Sequence, residues 1–167
     1  KLQKQEKEVL RLLINYGNEK IIIENQEEKL YNIIIYELDQ DKIEFSNNKY
    51  QKLYNTIINN IETFGLINIQ KLTSSPDEEM NKQTVDLITQ AHNISQNWKK
   101  EHNIITGRED DKLHKTTVKA ILSLKKSIVD VQISILQKKI QDENANDELM
   151  KKLNELTILK TKIAKVL

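Results

Sequence analysis

The chain has 167 residues, of which 38% are apolar, and its 26 basic and 25 acidic side chains nearly cancel. This balance argues against a dedicated nucleic-acid binder, and the lack of Cys excludes disulfides, zinc ribbons, iron–sulfur clusters and thiol nucleophiles. Three Gly and one Pro among many Lys, Glu, Leu and Ile predict an all-α protein. No signal peptide or long apolar run is present, which favours a cytoplasmic protein. Because the sequence starts at Lys1 inside a predicted helix, we expect a fragment of a longer chain.

Apolar residues at helical spacing predict six shorter helices in the first two thirds of the chain. Between the first two helices, Ile21 to Ile23 fits either a strand or a buried link, and periodicity does not decide. A loop then follows the second helix, with Ile43 and Phe45 turned inward. The predicted helices are Gln3–Tyr16, Glu27–Asp39, 47–64, Leu66–Leu72, 76–89 and Ala91–His102.

Capping residues set the ends of these helices. Gly17-Asn18 is a pair that tolerates the left-handed conformation and stops the first helix, and Gly65 stops the third. Ser46 or Asn47 is the predicted N-cap of the third helix. Ser75 is the predicted N-cap of the fifth, with Pro76 at its first helical position.

Two long helices close the chain, at about 108–140 and 147–167, and the polar segment 142–146 joins them as an αα-hairpin. The first would span about 50 Å if continuous, so part of it should project from a small domain. The sequence leaves open whether this helix is continuous or broken near 125–127. Its main apolar stripe is Leu113, Thr117, Ile121, Leu124, Ile128, Val131 and Ile135; that of the second is Leu149, Leu153, Leu156, Leu159, Ile163 and Val166.

The hairpin carries more apolar residues than two helices can bury against each other. The surplus residues must therefore meet either the preceding helices or a second protein, and the sequence leaves both open. They are Val118, Leu122, Val129, Ile133, Leu136 and Ile158.

Residues that could carry chemistry form no convincing site. His92, His102 and His114 lack the spacing of metal ligands. Asp39-Gln40-Asp41 is a DxD pattern, but it ends a predicted helix instead of following a strand, and Glu109 to Asp111 is better explained by the dipole of the long helix. Paired lysines recur along the chain and are interpreted as solvated faces. Near the carboxyl end, Lys160, Lys162 and Lys165 suit a helix C-terminus and are also candidates for steering an acidic partner.

Several short motifs, in order, resemble the C-terminal helicase-interaction domain of bacterial DNA primase. The similarity covers nearly the whole chain, with departures at Asn48-Lys49, where Asn-Pro is common, and at the carboxyl end. The segments that carry it are Gln5 to Gly17, Tyr36 to Leu38 with Phe45 and Tyr50, Ser95 to Trp98, Ala120 to Lys125, and Leu153 to Leu167.

This resemblance implies a helical subdomain at 1–107 and a helicase-docking hairpin at 108–167, similar together to the N-terminal domain of the replicative helicase. It implies a mainly monomeric binding module that is not itself an enzyme. It also implies no cofactor here, because the zinc and magnesium of a primase belong to its other domains. The partner would be the N-terminal domains of a replicative helicase, with no nucleic acid or membrane contact. The expected partner-binding residues are Leu136, Ile140, Leu149, Lys151, Lys152, Leu153, Leu156, Ile158 and Leu159.

Two other binding modules remain open, namely the N-terminal domain of the helicase itself and a structural coiled-coil adaptor. The opening QEKEVLRLL favours primase. Self-association on size exclusion would favour the helicase domain instead.

Overall fold

The computed structural model describes residues 1–23, 26–101, 109–142 and 147–167, and only the backbone within 90–101 and 109–111. The described part is mostly helical, which confirms the all-α prediction, while the similarity to a helicase domain stays a prediction. Its elements are α1 (Leu2–Tyr16), β1 (Lys20–Ile23), β2 (Gln26–Lys29), α2 (Leu30–Gln40), α3 (Asn48–Phe64), α4 (Ile69–Thr73), α5 (Glu78–Glu101), α6 (Glu109–Asp142) and α7 (Asp147–Val166).

Helix α1 lies at the centre of the bundle. It packs against α2, α3, α5 and α6, so apolar residues occupy more of its circumference than a surface helix would allow. The run from Val9 to Ile14 is buried throughout, including the guanidinium-bearing Arg11, which donates to both carboxylate oxygens of Glu8. The core around α1 contains Leu30, Ile34, Leu38, Leu53, Ile57, Leu72, Leu87, Ile121 and Leu124.

The isoleucine triplet is a strand, not a link. Strands β1 and β2 pair antiparallel with Ile21 opposite Glu28, and Lys20 forms an ion pair of 2.7 Å with Glu27. Alternation holds in β1, where Ile21 is fully buried and Ile22 is exposed. The predicted start of the second helix at Glu27 was therefore wrong by three residues, because ladder pairing takes up Gln26–Lys29 before α2 begins.

Side-chain caps confirm some predicted helix ends and correct others. Asn47 accepts a hydrogen bond from the amide of Lys49, and Gly65 ends α3 in the left-handed conformation with φ of 68°. The prediction of Ser75 as an N-cap was wrong, because Asp77 accepts from the Met80 amide and α5 starts at Glu78. The helices predicted at 76–89 and 91–102 form one continuous backbone helix, α5.

Gly17 is required because a side chain would not fit at this position, and not because the backbone makes a left-handed turn. It has ordinary helical angles, φ −56° and ψ −35°, which corrects the expectation from the Gly17-Asn18 pair. A Cβ atom there would overlap the carbonyl oxygen of Leu13 and lie 2.5 Å from Cδ1 of Ile67. Asn18 holds Ile67 in this position, because its side-chain amide both accepts from and donates to the Ile67 backbone.

Helix α6 is continuous over 34 residues, about 51 Å, and its two halves have different neighbours. The first half packs on α1, β1 and α2, with Ala120, Ile121 and Leu124 inside the main core. The predicted boundary between 107 and 108 remains a prediction, and the core extends across it. The second half of α6 continues beyond the bundle with α7.

We predict that Gly17→Ala lowers the free energy of unfolding by about 1–3 kcal/mol, because a methyl group must displace a buried side chain and a carbonyl. Gly65→Ala is the matched control. Its Cβ meets open space, so only the left-handed backbone is penalised, at about 1 kcal/mol. Urea unfolding of both variants measures the difference. If Gly17→Ala lowered the free energy of unfolding less than Gly65→Ala does, the steric explanation would be contradicted.

Candidate partner-binding surface

Helix α7 lies antiparallel to the second half of α6, and we call α6 residues 129–142 together with α7 the distal hairpin. The two helices pack along their length, and Lys160 Nζ lies 2.8 Å from Asp130 Oδ1. Along the sequence, each of these residues is about fifteen positions from the midpoint between α6 and α7. Two residues at equal distances from the connection are expected to face each other in an antiparallel hairpin. The prediction of two long antiparallel helices agrees with this arrangement.

No residue of α7 is fully buried. Its predicted stripe is half-buried at Leu149, Leu153, Leu156 and Ile163, on the side that faces α6. On the remaining surface, Ile158 is 48% exposed and Leu159 is 44% exposed. The last helix therefore covers another helix while leaving large apolar side chains in solvent.

In the distal hairpin, the predicted roles of the two α6 stripes are reversed. Val131 and Ile135 belong to the predicted main stripe but are 41% and 51% exposed, whereas the surplus residues Val129, Ile133 and Leu136 are buried. The main stripe packs on the bundle up to the level of Asp130, where Lys1 Nζ lies 3.4 Å from Asp130 Oδ2. Beyond that level α7 covers the other face of α6.

The nine predicted partner-binding residues fall into three environments. Leu136 is buried between the helices, so it adds little surface, and Ile140, Leu149, Leu153 and Leu156 are half-buried along the same seam. The exposed members are Lys151, Lys152, Ile158 and Leu159.

The carboxylate of Asp130 joins three helices. Lys160 of α7 and Lys1 before α1 both contact it, and it is 25% exposed. The Lys160 ammonium, and then Lys1, favour the charged form and lower the pKa of the Asp130 carboxyl. Among the described residues this is the ion pair that attaches α7 to the rest of the chain. Sequence reasoning missed Asp130, although it is the one charged residue between 127 and 136.

The DxD pattern takes part in an ion-pair cluster of the bundle. Lys125 Nζ lies 2.7 Å from a carboxylate oxygen of Glu37 and 2.9 Å from one of Asp41, which attaches α6 to the end of α2. Burial of Lys125 opposes its charge, but the two carboxylates outweigh burial and raise its pKa. Asp39 acts differently, since burial together with the nearby Asp39 charge raises the pKa of Tyr54 to about 12. Lys125 is thus a structural residue and not part of a solvated face.

The other chemical candidates do not converge in the described part of the chain. The side chains of His92, His102 and Glu109 to Asp111 lie outside the described residues, as do those of the Ser95 to Trp98 motif. No cluster of His, Asp or Glu suited to a metal ion occurs among the side chains that the structure describes. The described helices also include none long and apolar enough to cross a membrane.

We predict that Lys125→Met destabilises the chain by about 1–2 kcal/mol, because Glu37 and Asp41 are left facing each other without a cation. Lys126→Met is the matched control, since Lys126 makes no ion pair within the described ranges. Its effect should stay within about 0.5 kcal/mol in the same urea unfolding measurement. If both variants lost the same free energy of unfolding, the ion-pair cluster of Lys125 would make no specific contribution to stability.

We predict that Asp130→Asn costs about 0.5–1 kcal/mol at neutral pH, because the Asn side chain cannot pair with Lys160. The pKa of Asp130 is lower in the folded chain, so its contribution is complete above the unfolded pKa and is lost as the pH falls through the folded pKa. Urea unfolding at a series of pH values should therefore show the two proteins converging in acid. A difference that persists after the pH has fallen below the folded pKa of Asp130 would contradict this role.

Comparison with known proteins shows the family of the chain. No curated protein and no solved structure matches it. A family model does match, over residues 1–167. The chain therefore belongs, along its whole length, to the family described as a domain of unknown function, DUF8430.

Proposed function

We propose that this chain is a protein-interaction domain that binds a replicative helicase, in the manner of the C-terminal domain of bacterial DNA primase. It would couple the synthesis of RNA primers to the replication fork without carrying out nucleotidyl transfer itself. The family resemblance of the sequence motifs suggests this partner. The proposal depends on both the motif order and the shape of the distal hairpin.

The observation that carries the proposal is the exposed apolar surface of α7. This helix has no buried residue, and the side chains of Ile158 and Leu159 are nearly half exposed. Exposed apolar residues grouped on one element are typical of surfaces that bind another protein. The distal hairpin also projects about 18 Å past the level of Asp130, which leaves it accessible to a large partner.

The bundle would hold the hairpin in place. Helix α6 is anchored in the core by Ala120, Ile121 and Leu124, and by Lys125 on its rim. A rigid helix that continues from a core into the projecting hairpin keeps the two binding helices pre-organised, which lowers the entropic cost of association. This division of roles agrees with the two-part organisation that the resemblance implies.

We predict that Ile158→Asp lowers the affinity for the cognate helicase N-terminal domain by about tenfold or more, because a carboxylate replaces an apolar contact. Val85→Asp is the matched control, since Val85 has the same 48% exposure but lies on α5 in the bundle. Binding measured by surface plasmon resonance, with circular dichroism on each variant, tests the prediction.

If the helicase domain bound the unaltered chain and both variants with equal affinity, α7 would not be part of the interface. No binding of the unaltered chain at any practical concentration would reject the proposed function itself. Leu156→Asp is a less clean test, because Leu156 is half-buried against α6 and its substitution also loosens α7.

A further inference from the structure

Helix α7 is held to the rest of the chain mainly through one neighbour. Within the described part of the chain its extensive packing is with α6, and none of its 20 residues is buried. A helix in a folded protein is stabilised chiefly by the packing of its apolar face. The half-buried stripe of α7 therefore gives it much less support than α1 receives, whose residues Val9 to Ile14 are buried throughout.

The residues that α7 covers are separate from the main core. Val129, Ile133 and Leu136 are 5%, 9% and 8% exposed, yet none of them belongs to the contiguous buried cluster around α1. The buried residues that α6 contributes to that cluster end at Leu124. Removing α7 would therefore expose the three covered residues without opening the core of the bundle.

The ion pair that joins α7 to α6 can break without leaving a buried charge unpaired. Asp130 uses a different oxygen for each cation, Oδ1 for Lys160 at 2.8 Å and Oδ2 for Lys1 at 3.4 Å. When α7 departs, the contact with Lys1 is kept, while Oδ1 and the Lys160 ammonium, whose side chain is already 44% exposed, become hydrated. Breaking this pair therefore costs no more than breaking a partly exposed salt bridge.

The position of α6 does not depend on α7. Ala120, Ile121 and Leu124 fix the first half of α6 in the core, and Lys125 attaches it to two carboxylates at the end of α2. Segments that share few buried contacts with their surroundings open locally at a lower free energy than the whole chain unfolds. The contacts of α7 meet this condition, and those of α6 in the bundle do not.

We propose that α7 is a lid, which opens from α6 as one unit while the bundle stays folded, and that the Lys160–Asp130 pair is its latch. The structure shows the lid closed. Opening uncovers Val129, Ile133 and Leu136 on a stretch of α6 that already exposes Val131 and Ile135, so both stripes of this stretch become accessible. The lid thus controls how much apolar surface the chain presents. This proposal is independent of the identity of any partner.

The lack of Cys in the sequence allows a direct test, because a single introduced thiol reports the exposure of one position. Ile133→Cys places the thiol under α7, and Ile121→Cys is the matched control, the same substitution on the same helix but in the main core. The full chain carrying each substitution is labelled with a maleimide reagent at increasing urea concentrations.

We expect Ile133→Cys to be labelled about tenfold faster or more than Ile121→Cys without urea, because the lid opens more often than the chain unfolds. The labelling of Ile133→Cys should also depend less on urea, since opening α7 exposes less surface than global unfolding does. Equal rates with equal urea dependence for the two thiols would overturn the lid, because α7 would then leave α6 only when the whole chain unfolds.

The latch is tested in the Ile133→Cys chain, so that any loosening by the cysteine affects all variants equally. Lys160→Gln should speed the labelling by about threefold, the effect of losing a partly exposed ion pair. Lys162→Gln is the matched control, because it removes the same charge from α7 at an exposed position without an ion pair in the described ranges. Equal acceleration by the two substitutions would show that the Lys160–Asp130 pair is not a latch.

Hydrogen exchange of the unaltered chain tests the lid without any substitution. The amides in the middle of α7, from Leu153 to Thr161, should exchange about tenfold faster or more than those of α1 from Val9 to Ile14. Exchange in α7 as slow as in α1 would overturn the lid, whatever the cysteine variants show.

Discussion

The structure depends on how the two apolar stripes of α6 are covered. Along the first half of the helix, α1 and its neighbours bury one stripe in the main core, represented by Ile121 and Leu124. Along the second half, α7 buries the other stripe at Val129, Ile133 and Leu136. Val131 and Ile135 lie on the stripe that α7 does not cover, and both are exposed.

Two ion-pair clusters hold α6 in this arrangement. Lys125 meets Glu37 and Asp41 of the bundle, and Asp130, little more than one turn farther along, meets Lys160 of α7 and Lys1. Partly exposed pairs of this kind contribute modestly to stability, so their larger effect is on orientation. They set which face of α6 turns toward the bundle and which toward the distal hairpin.

A rigid core with a thinly attached outer helix suits a domain that binds another protein. Each of the helices α1 to α4 contributes at least one fully buried leucine to the core, whereas α7 buries no residue and retains exposed isoleucine and leucine. A small helical surface with a few exposed apolar residues gives contacts of moderate strength. The proposed helicase partner is consistent with this arrangement.

The sequence alone determined the helical class, the ends marked by Asn47 and Gly65, and the long hairpin, because periodicity and capping are local properties. Tertiary contacts decided what local patterns left ambiguous. Pairing with β1 drew Gln26–Lys29 into a strand, and close approach of Ile67 required Gly17. Packing against α7 buried the second stripe of α6 at Val129, Ile133 and Leu136. Apolar spacing shows which residues share a face, but only packed neighbours determine whether that face meets a core, another helix or solvent.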